Sequence, residues 1–185
     1  AALELPEGGA MLSSTLEHPA SMSAMKKWAK NTQRNHIIVE HNDDSGSVDE
    51  QAYIKKLTSD VRVVSIVHTS PVTGMTVDLE KITKEVRNVT PDCIIIVDGI
   101  QHSSHGAIDV QKYDIDGYVV SPYKMFSRHG YGVAWASDRL CTLNKEQLAD
   151  GPFQNWELGT RDAGSYATFS DVVDYLDWLG SNFTE

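Results

Sequence analysis

The tightest constraint on this chain lies between Cys93 and Trp135, where two apolar runs each stop abruptly at polar residues. Cys93-Ile94-Ile95-Ile96-Val97 is continuous, rich in β-branched side chains and bounded by Asp98-Gly99. A run without alternation reads as a strand buried on both faces of a parallel sheet. Gly117-Tyr118-Val119-Val120 ends in the same way at Ser121-Pro122-Tyr123-Lys124, after a loop and a short amphipathic piece from Ala107 to Tyr113. Two such strands in one parallel sheet bring Asp98 and Lys124 to the same edge. They then face the crevice outside the carboxyl ends, where an open α/β sheet takes its ligand.

The rest of the chain alternates to match. Gly9 to Leu16 contains a strand, and Pro19 opens a helix with Met22, Met25, Trp28 and Ala29 at three- and four-residue spacings, a stripe expected in the core. His36 to Glu40 is a strand, and Ser47 with Glu50 has the capping-box pattern of a helix running to Leu57. Val61 to Val67 is a buried strand, Asp78 to Asn88 an amphipathic helix with Leu79, Ile82 and Val86 on one face, and Tyr131 to Ala136 another strand. Arg139 to Gln154 is weakly patterned, whereas Ser165 to Leu179 predicts a helix presenting Phe169, Val172, Val173, Leu176 and Leu179. Alternation at crossover spacing predicts an α/β fold: a mainly parallel sheet covered by helices on both faces, three layers deep, as a single domain over residues 1–185.

A length of 185 residues with 41% hydrophobic content suffices for one real core. The formal net charge of −10 argues against nucleic acid or an anionic membrane as partner, since both select a basic face. Cys93 and Cys141 form no ligand-spaced pair, and Cys93 reads as a small buried hydrophobe in a reducing, cytoplasmic setting. No apolar run has the length of a membrane span, and Ala1 to Glu7 lacks the basic and apolar regions of a signal peptide.

A carboxylate and an amine facing one crevice meet the minimum requirement of pyridoxal 5′-phosphate. Its pyridine nitrogen works best protonated beside a buried carboxylate, and its aldehyde forms a Schiff base with a lysine. For an Asp–Lys pair alone, a turn cap and a solvated lysine are the default; the neighbouring residues shift the balance. Ile95-Ile96-Val97-Asp98-Gly99-Ile100-Gln101-His102, Ile108-Asp109-Val110, Val119-Val120-Ser121-Pro122-Tyr123-Lys124 and Arg128-His129-Gly130-Tyr131-Gly132-Val133 together resemble the core signature of the class V aminotransferases. These are fold-type I pyridoxal phosphate enzymes that include the cysteine desulfurases. The resemblance implies that Asp98 partners the pyridine nitrogen, Gln101 contacts the phenolic oxygen, Ser121 binds phosphate and Lys124 carries the Schiff base. Transamination, epimerisation and carbon–sulfur cleavage of an amino-acid substrate share these residues.

Two further segments fit the same family. Glu17-His18-Pro19-Ala20-Ser21 is similar to its Glu-His-x-x-Asn segment, which implies that His18 stacks on the cofactor face; taken alone, His18 reads as a helix-start histidine. Trp156-Glu157-Leu158-Gly159-Thr160 is similar to its Gly-Thr segment, which implies a homodimer in which Thr160 reaches the phosphate of the neighbouring subunit's cofactor. A plain cap before the last helix is the alternative there. Gly159-Thr160-Arg161-Asp162, in place of the Gly-Thr-Pro-Asn of desulfurases, leans toward the isopenicillin N epimerase-like branch. Two positions depart from the pattern. Pro71 stands where the family often has a cofactor-contacting Asn, and Tyr123 replaces a His before the lysine, although its phenol can still serve a phosphate oxygen.

The resemblance spans residues 10–179 and matches the middle of a family-length protein, so the chain reads as a fragment. The small-residue phosphate loop and the small domain with its substrate-carboxylate arginine lie outside that span. A non-catalytic scaffold or dimerisation fragment is therefore the competing reading. A third, a zinc hydrolase built on His68, His102, His105 and His129, ranks last because no Cys, Glu or third close His completes a local ligand set.

Overall fold

The computed structural model describes Leu5 and residues 8–143 and 160–183. Its centre is a six-stranded sheet of β1 (Ala10–Ser14), β2 (Asn35–Val39), β3 (Val61–Val67), β4 (Ile94–Asp98), β5 (Gly117–Val120) and β6 (Val133–Ala136), in the order β2-β1-β3-β4-β5-β6. Every neighbouring pair is parallel except β5 with β6, which is antiparallel.

This order explains the layers. After β1 the chain moves outward through α1 (Pro19–Asn31) to β2, then reverses through α2 (Glu50–Lys56) to β3 on the other side of β1, and continues through α3 (Leu79–Val89) to β4. With crossovers of one hand, a reversal of direction moves the helix to the opposite face. Leu12, Val64, Ile66, Ile95 and Val97 accordingly pack with Tyr53 of α2 and with Leu79, Ile82 and Val86 of α3. Met11 and Val63, one step along their strands, pack with Met25, Trp28 and Ala29 of α1.

The helix starts follow local capping chemistry. His18 Nδ1 accepts from Ala20 N–H at 3.1 Å at the head of α1, and Asp78 Oδ1 accepts from Lys81 N–H at 3.2 Å at the head of α3. The capping box expected at Ser47 is corrected. Asp49 caps α2, accepting from Ala52 N–H at 2.8 Å, because Ser47 is taken up in closing the preceding loop, where its carbonyl accepts from Asn42 N–H at 2.9 Å. The piece from Ala107 to Tyr113 is a run of turns rather than a helix. Asp109 Oδ1 accepts from Gln111 and Lys112 N–H at 3.2 Å each, while Val110 and Tyr113 lean on the core.

At the amino-terminal edge of the sheet, Asp116 is 1% exposed. It accepts from Arg87 Nη2 and Ile95 N–H at 2.8 Å and from Ser137 Oγ at 3.1 Å, with Arg139 Nε at 3.4 Å. After β6 come α4 (Asp138–Thr142) and then α5 (Ala163–Phe183), in which Ser165 is the buried residue and the expected apolar stripe is half-buried or exposed. Most of the weakly patterned stretch from 139 to 154 lies outside the described residues, as does Trp156 to Gly159.

Candidate active site

The strands of the parallel sheet deliver their carboxyl ends to one edge. Register aligns Val67 of β3 with Asp98 of β4, and Asp98 with Val119 of β5, so the residues that follow each strand converge. A cavity of about 250 Å³ opens there, at the side of β1 and β3 where the strand order reverses. Of the seven residues singled out from sequence, His18, Asp98, Gln101, Ser121, Tyr123 and Lys124 all line it. Thr160 is exposed and is not part of its wall.

Asp98 is 8% exposed, and its carboxylate is held from two sides: Oδ1 accepts from Ile100 N–H at 3.1 Å and Oδ2 from Ser21 Oγ at 3.4 Å. A carboxylate offers about four acceptor sites, so capacity remains for a further donor. Lys124 sits on a single 3-10 turn, Pro122–Met125, that Pro122 opens and Phe126 closes in the left-handed region at φ 68°. Its Nζ donates to Gln101 Oε1 at 3.0 Å, and the Gln101 amide nitrogen lies 3.1 Å from His105 Nε2. The lysine thereby fixes which way the Gln101 amide points. Tyr123 stacks on His129 with ring centroids 4.2 Å apart. His18 uses Nδ1 to cap α1, so in its neutral form the ring carries its proton on Nε2.

Several residues of this region were not assigned to the site from sequence, and His68 and His102 entered there only as members of the last-ranked zinc set. Ser21 and Thr69 line the cavity. Behind them, His68 and His102 stack with centroids 3.5 Å apart; His68 Nδ1 is 2.8 Å from Tyr118 Oη and His102 Nδ1 is 2.9 Å from Thr69 Oγ1. Burial and the neighbouring His102 push His68 down to about 4, and burial lowers His102 as well. Glu17, 6% exposed, is pushed up to about 7 by burial and by the charge of Asp98, against the hydrogen bonds it receives. In sequence Glu17 stands out as the first residue of the Glu-His-x-x-Asn-like segment and by its place between a strand exit and a helix start.

Among the described residues no three His, Cys, Asp or Glu side chains are grouped to hold a metal. A separate hollow of about 190 Å³ under α1, lined by Met11, Met25, Trp28, Val63 and Ile96, is apolar and shares only Ser21 with the site. The groups able to hold an aromatic, phosphorylated aldehyde thus coincide in the polar cavity: a carboxylate with spare acceptor capacity, a primary amine, an amide, a hydroxyl and an imidazole.

Comparison with known proteins agrees. The cysteine desulfurase of Synechococcus elongatus is 29% identical over 191 residues, covering 95% of this chain and 30% of that protein. The crystal structure of the cysteine desulfurase CsdA from Escherichia coli superposes with a TM-score of 0.81 at 24% identity, over 97% of this chain and 47% of the other. C-DES with glycine covalently linked to its PLP cofactor gives a TM-score of 0.84 at 18% identity, over 97% of this chain and 52% of the other. The chain therefore spans about half the length of these proteins or less. The Aminotransferase class-V family model matches residues 1–172, and with the sheet order and the carboxyl-edge cavity in agreement, this chain belongs to the class V aminotransferase family.

Proposed function

We propose that this chain forms the pyridoxal 5′-phosphate-binding part of an enzyme acting on an amino acid, with Lys124 as the covalent anchor of the cofactor. The observation that carries this is the convergence of His18, Asp98, Gln101, Ser121 and Lys124 on one cavity from three separate strand exits. When bound, the cofactor supplies an electron sink for a carbanion at the substrate α-carbon.

The chain's residues divide the remaining work. Asp98, held by Ile100 N–H and Ser21, would accept a hydrogen bond from the protonated ring nitrogen and keep that proton in place. The Lys124 amine would anchor the group, and it is the basic side chain at the cavity wall that would take and return a proton. Gln101, oriented by Lys124, would present its amide to the phenolic oxygen; Ser121 and Tyr123 would offer hydroxyls to phosphate, and His18 would supply an imidazole to the ring face. Of the branches open to the family, the desulfurase names among the relatives favour carbon–sulfur cleavage. An exposed Thr160 outside the cavity wall fits donation to a second copy, and the buried thiol of Cys93 fits a reducing, cytoplasmic location.

The deciding experiment is absorbance titration of the purified protein with pyridoxal phosphate, followed by borohydride reduction and peptide mapping. A band near the visible edge, trapped on Lys124 and lost in Lys124→Ala, is expected. Absence of any adduct, in this chain and in a longer form of it, refutes the reading and leaves a non-catalytic scaffold.

A further inference from the structure

Glu17 and His18 are adjacent, yet their side chains lie in opposite environments. Glu17 is 6% exposed, whereas His18 is exposed at the cavity wall. Glu17 Oε1 accepts from Val67 N–H at 2.9 Å and from Ser14 Oγ at 3.4 Å, and Oε2 accepts from Ser65 Oγ at 3.0 Å. Val67 is the last residue of β3, so these bonds tie the exit of β1 to the exit of β3. Immediately afterwards His18 Nδ1 engages Ala20 N–H and α1 begins. His18 is therefore caught between an anchor on the sheet and the first turn of a helix, with a single backbone step on either side.

We propose that Glu17 is a positioning residue whose carboxyl clamps the β1–α1 turn to the end of β3 and so holds His18 against the cavity. This rests on the reading of the cavity as a pyridoxal phosphate site that His18 touches. The side chain is faced by Asp98 from β4, Tyr53 from α2, Ser65 from β3 and Ser14 from β1. With its carboxyl pushed up to about 7, both protonation states are present near neutrality. The clamp survives in each: a protonated carboxyl keeps one oxygen for Val67 N–H and turns its proton toward a serine hydroxyl. An amide has the same capacity, so Glu17→Gln preserves the clamp and Glu17→Ala removes it.

The test has a cofactor-free arm and a cofactor arm. Without cofactor, hydrogen exchange of residues 16–22 is expected to rise in Glu17→Ala and to return to wild type in Glu17→Gln, under conditions where circular dichroism shows all three folded. With cofactor, a ring stack worth about 1 kcal/mol predicts about fivefold weaker pyridoxal phosphate binding in Glu17→Ala, with no loss in Glu17→Gln. In a His18→Ala background, Glu17→Ala is expected to have no further effect on binding. Unchanged exchange in Glu17→Ala overturns the clamp, and an equal loss of affinity with and without His18 overturns its action through that ring. Should wild type take up no cofactor while the exchange pattern holds, the cofactor reading and the link to His18's role fall, but the clamp stands.

Discussion

Gly99 follows Asp98 directly, and Tyr118 on the neighbouring strand packs flat against it. A Cβ added at residue 99 would lie 2.0 Å from Tyr118 Cε1, 2.2 Å from Cζ and 2.3 Å from Oη. These are far inside van der Waals contact, and the ring has no free direction: Tyr118 is 3% exposed, its hydroxyl is 2.8 Å from His68 Nδ1, and its edge meets the His68 ring. Gly99→Ala therefore forces overpacking, which costs about 1–3 kcal/mol. It also drags the phenol off His68, leaving a buried polar pair unmade at about 1–3 kcal/mol more. We expect a total loss of about 2–6 kcal/mol, read as a lower urea midpoint with unchanged slope. The control is Tyr118→Leu, which opens the space that the new methyl needs. The double variant is expected to be at least about 1 kcal/mol more stable than the sum of the single effects. A Gly99→Ala protein within about 0.5 kcal/mol of wild type, or strict additivity with Tyr118→Leu, would refute the packing argument.

Four other predictions concern individual side chains. Glu17, displaced from an ordinary 4.5 up to about 7, binds its proton more tightly folded than unfolded, so it stabilises most below pH 4.5 and loses about 3 kcal/mol of that contribution as pH rises through 7. The stability difference between Glu17→Gln and wild type should therefore shift in favour of the variant across pH 4.5–7, and a pH-independent difference in denaturation would sink the assignment. His68, displaced from 6.5 down to about 4, has the opposite sense: stability is full above pH 6.5 and falls as the unfolded chain takes up the proton toward pH 4, so acid titration of Glu17→Gln should expose this loss uncompensated. Asp116→Asn leaves Arg87 and Arg139 facing a neutral group and is expected to cost about 3 kcal/mol in denaturant. Asp98→Asn should instead leave stability nearly unchanged and weaken pyridoxal phosphate binding about 10- to 100-fold, as loss of a charge-assisted bond at the cavity implies.

What was legible in the sequence, and what was not, follows from where the determining contacts lie. Cys93 to Val97 and Gly117 to Val120 could be read because burial on both faces is written into consecutive residues, and the residue at which such a run stops is automatically at the sheet edge. Asp98 and Lys124 inherit their placement from that local fact. The cap of α2 went to Asp49 because Ser47 was claimed by Asn42 across a loop, a competition that a four-residue pattern does not contain. The stripe of α5 was equally readable as a period, but a period names a face and not the surface that covers it; Val173 in that stripe is 45% exposed.

Glu17 and His68 mark the same boundary within the site. A carboxylate at a strand exit is ordinarily solvated, and nothing near Glu17 in sequence says otherwise. Its burial depends on Val67 N–H and Ser65 Oγ, about fifty residues away, arriving through the β1–β3 pairing. His68 is likewise buried by His102 from the turn after β4 and by Tyr118 from β5. Side chains that face the cavity are thus legible at the exits of strands, because the exit itself is a sequence feature. Those that hold the facing residues in place are set by the strand order, and the order reverses at β1, the strand whose exit carries both Glu17 and His18.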